Sequence, residues 1–150
     1  MTIEKAINAD HQILTQITKR SKAFWGYSEE QIEIWSKFLI VTPSYIDANP
    51  VYKLSIEDQI VGYYSFFNQD EKTIKLDNLF VLPEYIGKGL GRLLMKHFLL
   101  NIDKTHIKTI TLNSEPNAEP FYSKLGFIKV GEIETSIKDR YMPIMELTII

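Results

Sequence analysis

Three glycines at alternate positions, Gly87, Gly89 and Gly91, mark the segment whose residue types most directly indicate a chemistry. A residue without a Cβ allows main-chain N–H groups to come close to a ligand. Lys88 and Arg92 add positive charge, and a helical apolar pattern begins within the segment, so helix N-terminal amides are also available to an anion. The segment therefore predicts a pyrophosphate site. A glycine-rich turn that only closes a corner between a strand and a helix is the alternative.

Two common phosphate-binding loops do not fit this segment. A P-loop needs Ser or Thr after its lysine, whereas Lys88 is followed by Gly89. A dinucleotide-binding G-x-G-x-x-G motif that began at Gly87 would need glycine where Arg92 stands. The strands that precede the segment also read as antiparallel, unlike those of a doubly wound fold. Neither motif accounts for the three glycines.

Residue types also exclude several catalytic classes. The chain has no cysteine, which excludes thiol nucleophiles, thiolate zinc sites and disulfides. His11, His97 and His106 do not cluster with carboxylates at ligand spacing, so we predict no metal. No serine stands in a nucleophile elbow, so a Ser-His-Asp triad is not expected.

Length and charge narrow the class of protein further. A chain of 150 residues predicts one domain, 1–150, that needs no disulfide or metal to hold its core. Because 17 Lys and Arg face 19 Asp and Glu, the net charge is −2, and the basic field that favours nucleic acid is missing. No apolar run approaches the roughly 20 residues of a membrane helix, and the N-terminus has no apolar signal region. We expect a cytoplasmic protein without nucleic-acid or membrane partners.

The elements that must position the glycine segment follow from the apolar periodicity. In the first half, residues 3–7 predict an edge strand, and Asp10 is expected to cap a helix. Residues 22–27 read as a loop, and Ser28 opens a second helix with capping-box spacing. Pro43 is predicted to end that second helical pattern.

From Val51 the apolar period changes from helical to alternating. Short turns join the next strands into an antiparallel meander, and a strand, the glycine turn, a helix and a parallel strand then form a βαβ unit. The predicted fold class is α/β (α+β), a mixed, mostly antiparallel sheet of roughly six to seven strands with flanking helices. The predicted strands are 51–56, 60–67, 73–82, 109–112, 127–133 and 142–149, and the predicted helices of this half are 90–102 and 118–125.

Two segments carry a resemblance to a known family. Val81-x-Pro83, followed by the alternate glycines, resembles motif A of the GCN5-related N-acetyltransferase (GNAT) superfamily, which reads Arg/Gln-x-x-Gly-x-Gly/Ala and cradles the pyrophosphate of coenzyme A. Ile86 stands where that motif has Arg or Gln, so one side-chain contact is lost while the backbone cradle remains. The sequence NAEPFYSKLGF at 117–127 is similar to the family's A-x-x-F-Y-x-x-x-G-F segment with its preceding Asn, and the predicted strand order agrees.

The resemblance implies acetyl-CoA as the co-substrate, bound by the βαβ unit. Its pantetheine arm would lie between two splayed strands, 79–81 and 109–113, and a main-chain N–H near Leu79 or Val81 would bond the thioester oxygen. Asn117 matches the family asparagine that contacts the pantetheine or phosphate region, and it is also a candidate helix N-cap. The cofactor-binding residues carried over are Leu79, Phe80, Val81, Ile86, Gly87, Lys88, Gly89, Leu90, Gly91, Arg92, Asn113, Asn117, Phe121, Tyr122 and Lys124.

The same resemblance assigns catalytic roles. Tyr122 matches the family tyrosine near the coenzyme sulfur, where a phenol with a pKa of about 10 can protonate the departing thiolate. Packing on the sheet beside Phe121 is the alternative for this side chain. Asp77 lies near the position of a family glutamate that reaches the amine through water, so it is the candidate general base. A solvated carboxylate at Asp77, Glu115 as the base, and an amine that arrives neutral stay open.

Family members usually wall the acceptor pocket with the helices that lie between the first two strands. Phe24, Trp25 and Tyr27 fall in the predicted loop there, and they either line the acceptor pocket or pin the loop to the core. Tyr63 and Tyr64 lie on opposite faces of one strand, and Tyr64 is taken as the substrate-binding one.

The function expected from the resemblance is transfer of the acetyl group of acetyl-CoA to a primary amine, directly within a ternary complex. The acceptor is a small-molecule or peptide amine, and Arg140 either meets an acidic group on it or is simply exposed. Non-catalytic alternatives are an acyl-CoA-binding or sensor module on the same fold and a protein-interaction domain with a vestigial pocket. Many relatives pair through their C-terminal strands, which makes a homodimer plausible.

Overall fold

A computed structural model describes residues 1–135 and 140–149 of the chain. Its strands are β1 Thr2–Lys5, β2 Val51–Ile56, β3 Gln59–Asn68, β4 Thr73–Val81, β5 Thr109–Asn113, β6 Ile128–Glu134 and β7 Tyr141–Thr148. Its α-helices are α1 His11–Phe24, α2 Glu29–Trp35, α3 Pro43–Ala48, α4 Leu90–Asn101 and α5 Glu119–Lys124. Short 3-10 turns occupy Asn8–Asp10, Ser36–Phe38, Pro83–Tyr85 and Pro116–Ala118.

The described strands form one seven-stranded sheet in the order β1-β2-β3-β4-β5-β7-β6. β4 and β5 pair in parallel, whereas β1 with β2, β2 with β3, β5 with β7 and β6 with β7 are antiparallel. The predicted mixed, mostly antiparallel sheet with flanking helices is therefore confirmed. In the described part of the chain, no helix is both long and apolar enough to span a membrane.

The chain divides into two compact units. The first contains residues 1–66 and 78–101, and the second contains 67–77 and 102–150. β3 and β4 therefore each contribute residues to both units. That residues 1–150 act as a single domain stays a prediction.

The core of the first unit forms where the buried side of α1 meets β2, β3 and the segment before α3. Buried apolar side chains make up this cluster, and they are Ala6, Leu14, Ile17, Val41, Ile46, Val51 and Tyr63. Spacing of Leu14, Ile17, Thr18 and Ser21 by three or four residues puts them on one side of α1. Burying the two apolar members stabilises the unit by about 2 kcal/mol each.

The end of α1 differs from the sequence prediction. α1 continues through Phe24, so Phe24 ends a helix and does not lie in the predicted loop. The helix ends because Gly26 takes a φ of +88°, and the N–H groups of Trp25 and Gly26 bond back to the Lys22 and Ala23 carbonyls at 3.2 and 3.1 Å. Asp10 stands at the N-cap position of α1, as predicted, but its side chain does not bond to the helix and instead accepts from the Ile7 N–H at 2.9 Å.

Pro43 begins a helix, whereas the sequence predicted only that it ends one. Proline at the first helical position lacks only an N–H that would have no partner there. The Thr42 hydroxyl accepts a hydrogen bond from the Tyr45 N–H at 3.1 Å, which caps α3. The predicted cap of α2 is confirmed, since the Ser28 hydroxyl accepts from the Gln31 N–H at 3.0 Å.

In the second unit, β5 is the strand that joins the parallel and antiparallel parts of the sheet. It pairs with β7 from Thr109↔Thr148 to Asn113↔Ile144 and with β4 from Thr73↔Thr109 to Lys75↔Thr111. β6 pairs with β7 through a register shift between Lys129 and Gly131. Ile110, Leu112, Phe127 and Met145 are buried in this unit.

Candidate functional site

The glycine corner, residues 86–92, joins the end of β4 to α4 in the first unit. Gly87 and Gly89 adopt φ values of +84° and +80°, in the region that side chains with a Cβ rarely occupy. A Cβ built on either glycine would meet no heavy atom within 4 Å. These two glycines therefore serve the turn's backbone shape and leave open space next to it, as a main-chain ligand cradle requires.

The first turn of α4 directs its amides toward this corner. The Leu93 N–H makes an early helical bond, to the Gly89 carbonyl at 3.1 Å, so the N–H groups of Leu90, Gly91 and Arg92 precede the helical ladder. Leu90 anchors the turn because its side chain is buried. The corner therefore combines helix amides that have no partner within the helix with the positive end of the helix dipole.

Positive side chains flank the corner, as the sequence predicts. Lys88 and Arg92 are exposed, and the Lys88 ammonium lies 5.2 Å from the centre of the Tyr85 ring. Ile86 is 40% exposed, so its side chain gives the corner an apolar edge where the family motif has Arg or Gln. A diphosphate can be held here by main-chain N–H groups and two cations.

The end of β4 carries the residues predicted to pair with the pantetheine arm. Leu79, Phe80 and Val81 are half-buried, and the Phe80 side chain packs on Tyr63 with ring centres 6.0 Å apart. The Val81 carbonyl accepts a hydrogen bond from the Ser21 hydroxyl at 2.7 Å. Ser21 was missed by sequence reasoning, because nothing in the sequence pairs positions 60 residues apart.

Three of the four acceptor-side candidates lie together around the end of α1. The Phe24 and Trp25 rings meet edge to face at 5.0 Å, and the Tyr27 ring meets Trp35 in the same way at 4.9 Å. Phe24 is 48% exposed and Trp25 is 38% exposed. These two aromatic faces are available to a ligand, whereas Tyr27 packs on α2.

The placement of Tyr64 contradicts its predicted role in acceptor binding. Tyr64 has no exposed surface, and its hydroxyl is 2.7 Å from Nδ1 of His97. Its ring stacks on Tyr52 at 5.3 Å and lies 5.5 Å from Phe98. Alternation along β3 placed one tyrosine on each face but could not show that α4 covers this one. Tyr63 is also buried, with its hydroxyl 2.5 Å from that of Thr18.

The first unit also contains a polar cluster that sequence reasoning did not find. Asn78 donates to the Ser65 hydroxyl at 2.9 Å, and that hydroxyl is 2.8 Å from the Tyr45 hydroxyl. Ser65 is fully buried, so these bonds satisfy a group that would otherwise destabilise the sheet. Asn78 follows Asp77 in β4 and faces the opposite side of the strand.

In the second unit, the parallel ladder between β4 and β5 is shorter than either strand. It covers Thr73 to Lys75 and Thr109 to Thr111, whereas β4 continues to Val81 and β5 to Asn113. Asp77, the candidate base, is exposed, and Asn113 is half-buried at the end of β5. Asp77 makes further interactions of its own, so it is not an isolated carboxylate.

A hydrogen-bonded chain of three side chains follows β5. The Asn117 amide nitrogen donates to Oε1 of Glu115 at 3.0 Å, and Arg140 donates to Oε2 of the same carboxylate at 2.8 Å. Asn117 caps neither the 3-10 turn nor α5, whose N-cap positions are Glu115 and Ala118, so the predicted capping role is wrong. Both oxygens of Glu115 are engaged, which argues against this residue as the general base.

The position of Arg140 answers a question that the sequence left open. Its side chain is 13% exposed and that of Glu115 is 9% exposed, so the pair is largely buried. Arg140 therefore serves an internal ion pair and is not a freely exposed group for an acidic acceptor. Its carbonyl also accepts from the Thr135 N–H at 3.2 Å and the Thr135 hydroxyl at 2.9 Å, which fixes the start of β7 to the end of β6.

Tyr122 lies on α5, with its ring between Phe121 and Phe127 at 5.1 and 5.7 Å. The residue is 7% exposed, and burial raises the pKa of its phenol. Within the described residues, every fully buried side-chain nitrogen or oxygen has a hydrogen-bond partner. The Tyr122 hydroxyl has no hydrogen-bond partner among those residues, so it is not one of the fully buried atoms. The hydroxyl therefore reaches the surface of this unit, where a ligand can meet it.

The end of α5 completes the second predicted motif. Gly126 has a φ of +97°, and the N–H groups of Gly126 and Phe127 return to the Ser123 and Tyr122 carbonyls at 3.1 Å each. This confirms the predicted glycine C-cap. Phe127 is 2% exposed and anchors the turn, while Phe121 is half-buried and Lys124 is exposed.

The predicted site residues divide between the two units. The first unit brings together the corner, the end of β4 and the aromatic acceptor candidates, and the second contains Asp77, Asn113 and the 117–124 segment. In the described part of the chain, no group of three or more His, Cys, Asp or Glu residues is placed to hold a metal.

Known proteins that resemble this chain in sequence are N-acetyltransferases. A sequence model of the family described as "Acetyltransferase (GNAT) domain" matches residues 25–144. The peptidyl-lysine N-acetyltransferase YjaB of Salmonella typhimurium is 25% identical over 146 residues, which cover 95% of this chain and 83% of that protein. The uncharacterized N-acetyltransferase ycf52 of Pyropia yezoensis is 29% identical over 79 residues, 53% of this chain and 45% of that protein. The chain spans about half the length of the ycf52 proteins that it matches.

Among solved structures, the PaiA N-acetyltransferase from Thermoplasma acidophilum, in complex with coenzyme A, has the same fold. Its TM-score is 0.81 at 22% identity, and the alignment covers 99% of each chain. The match over residues 25–144 spans both glycine-bearing motifs and most of the sheet. This chain belongs to the family of GNAT acetyltransferase domains.

Proposed function

We propose that this chain is an N-acetyltransferase that transfers the acetyl group of acetyl-CoA to a primary amine, directly within a ternary complex. The observation that carries the proposal is the glycine corner. Two glycines with positive φ, open space beside both, and a helix N-terminus with two flanking cations suit a diphosphate. Family membership and the coenzyme A complex of the PaiA protein support the choice of acetyl-CoA among diphosphate ligands.

The end of β4 would hold the thioester arm of the co-substrate. Because the ladder with β5 stops at Lys75, main-chain groups of Leu79 to Val81 can pair with an extended ligand. The Val81 carbonyl is already bonded to Ser21, so the N–H groups of this stretch are the ones offered. An N–H directed at the thioester oxygen would stabilise the charge that develops there.

Acetyl-CoA supplies an activated acyl group whose C–S bond breaks as a C–N bond to the amine forms. Tyr122 provides the proton that the leaving sulfur requires, since a phenol is protonated at neutral pH. The amine must also lose a proton, and Asp77 is the proposed acceptor of it, through water. Alignment of the two substrates supplies much of the remaining rate.

The acceptor is proposed to be a small-molecule or peptide amine. Phe24 and Trp25 offer half-exposed aromatic faces at the end of α1, which suit the alkyl stem of an amine. The relative YjaB is named a peptidyl-lysine N-acetyltransferase, so lysine peptides head the list of candidates. A cytoplasmic location and a homodimer stay predictions.

The experiment that tests the proposal is a screen for thiol release. Purified chain is incubated with acetyl-CoA and a panel of amines that includes lysine peptides, peptide N-termini, free amino acids and polyamines. We expect one amine class to release free CoA and to gain an acetyl group by mass spectrometry. Binding of acetyl-CoA without turnover on any amine would contradict catalysis and favour the acyl-CoA sensor.

A further inference from the structure

An ion pair joins Glu115, which follows β5, to Arg140, which precedes β7. Neither the family motif nor the proposed acetyl transfer uses this pair. Arg140 donates to Oε2 of Glu115 at 2.8 Å, and the two side chains are 13% and 9% exposed. The Ser114 hydroxyl donates to the Glu115 carbonyl at 2.7 Å, and the Ser114 N–H donates to the Pro143 carbonyl at 2.8 Å. The backbone at Ser114 and Glu115 is thus fixed beside β7, and the Glu115 carboxylate is held by Arg140.

The second oxygen of this carboxylate determines how Asn117 is oriented. A carboxylate only accepts hydrogen bonds, so the group of Asn117 that meets Oε1 at 3.0 Å is its NH₂. The amide is planar, and its other atom, Oδ1, is therefore turned away from Glu115. Asn117 is exposed, and within residues 1–135 and 140–149 its Oδ1 has no hydrogen-bond partner.

We propose that Glu115, held by Arg140, is a positioning residue that presents the Asn117 carbonyl oxygen to an N–H donor of acetyl-CoA. This rests on the proposed function. A carbonyl oxygen repels phosphate but accepts from an N–H group, and acetyl-CoA carries N–H groups in its pantetheine amides and in its adenine amine. We assign the contact to the pantetheine amides, and ADP, which keeps the adenine amine, distinguishes the two.

Calorimetric titration with acetyl-CoA and with ADP, which lacks the pantetheine arm, tests the assignment. Asn117→Ala is expected to weaken acetyl-CoA binding about threefold to tenfold, the usual effect of losing one hydrogen bond, and to leave ADP binding unchanged. Equal weakening of both ligands would overturn the choice of the pantetheine arm.

The positioning role is tested by a thermodynamic cycle. The paired variant Glu115→Met/Arg140→Met removes both charges together, which avoids a lone buried cation. It should weaken acetyl-CoA binding about as much as Asn117→Ala does, and adding Asn117→Ala to it should cause no further loss. Additive losses in the triple variant would mean that the pair only supports the fold.

A second variant covers failure of the paired one to fold. Glu115→Gln/Arg140→Met keeps the side-chain shape at position 115 without leaving a lone buried cation, and it removes the carboxylate's preference for a donor. The Asn117 amide can then turn, and acetyl-CoA binding should weaken. Unchanged acetyl-CoA affinity in this variant would overturn the proposal. If the wild-type protein binds no acetyl-CoA at all, the proposed function itself fails. If the wild type binds acetyl-CoA but the losses in the triple variant are additive, only the positioning role is refuted.

Discussion

Tyr122, the proposed general acid, lies in an environment that changes the acidity of its phenol. An exposed phenol has a pKa of about 10, and burial between Phe121 and Phe127 raises that of Tyr122. The phenol is protonated at neutral pH with or without this shift, so its proton is available to a departing thiolate. The higher pKa argues against a general-base role for this tyrosine.

Replacement of this hydroxyl gives the first prediction. Tyr122→Phe keeps the ring packing and removes only the proton donor, so kcat for thiol release should fall about 100-fold, as for other general acids. Acetyl-CoA affinity by calorimetry should stay within about twofold, because a single weak contact is lost. Full kcat in a folded variant would remove Tyr122 from the mechanism.

His97 gives a prediction of pH dependence at the same scale. Burial lowers the pKa of His97, and its Nδ1 lies 2.7 Å from the Tyr64 hydroxyl. In the unfolded chain the histidine titrates at about 6.5. Below about pH 6.5 the histidine of the unfolded chain is protonated while His97 of the folded chain is still neutral. Proton binding therefore favours the unfolded chain, and the free energy of unfolding falls as the pH drops from about 6.5 toward the lowered pKa of His97.

Thermal melting checks this prediction. Between pH 7.5 and 5.5, the wild type should lose more melting temperature than His97→Asn, which cannot gain a proton. His106→Asn is the matched control, since His106 is exposed and pairs with Asp103. Parallel pH profiles for wild type and His97→Asn would contradict the account.

At the scale of elements, α4 and the turn before it act together. The helix provides amides, and the positive φ of Gly87 and Gly89 lets the chain bring them to one place. The buried face of α4, which includes Leu94, Met95 and Phe98, fixes the helix to its unit. An anion site made of main-chain amides depends on backbone shape and free space more than on any one side chain.

A matched pair of substitutions tests whether the glycine corner binds the diphosphate. Asp and Asn have the same size and both tolerate positive φ, so Gly89→Asp and Gly89→Asn differ in charge alone. We expect the Asp variant to bind acetyl-CoA at least about tenfold more weakly than the Asn variant, because its carboxylate repels the diphosphate. Equal affinities in calorimetry would show that no phosphate lies near Gly89.

Elements also show what the sequence could predict and what it could not. The strands, α4 and the glycine C-cap of α5 follow from local patterns, and all are present. Local patterns failed at Pro43, which starts a helix, and at Phe24, which ends one. They also could not reveal Glu115 with Arg140, or Ser21 with Val81, because such pairs depend on chain segments that meet only after folding.

For the whole molecule, the fold and family predicted from two motifs and a strand order are confirmed. β6 is the outer strand of the sheet on its side, and the exposed apolar side chains Ile128 and Val130 lie on it. An exposed outer strand with apolar residues is a surface on which a second copy can pair. This is the structural basis for keeping the predicted homodimer.

Light scattering coupled to size exclusion tests the dimer. We expect a particle of twice the chain mass of 17.5 kDa, and Ile128→Lys should shift it to one chain. Leu100→Lys is the control, because Leu100 is an equally exposed apolar residue on α4, 69% against 65%. A wild-type monomer, or equal effects of both lysines, would contradict pairing through β6.

The most direct test of the central claim is a titration of ¹⁵N-labelled protein with acetyl-CoA, followed by amide chemical shifts. If the corner holds the diphosphate, the amide signals of Gly87, Gly89 and Gly91 should move with a common saturable curve and rank among the largest changes. Saturable binding that leaves these three amides in place, or no binding at millimolar acetyl-CoA, would contradict the account.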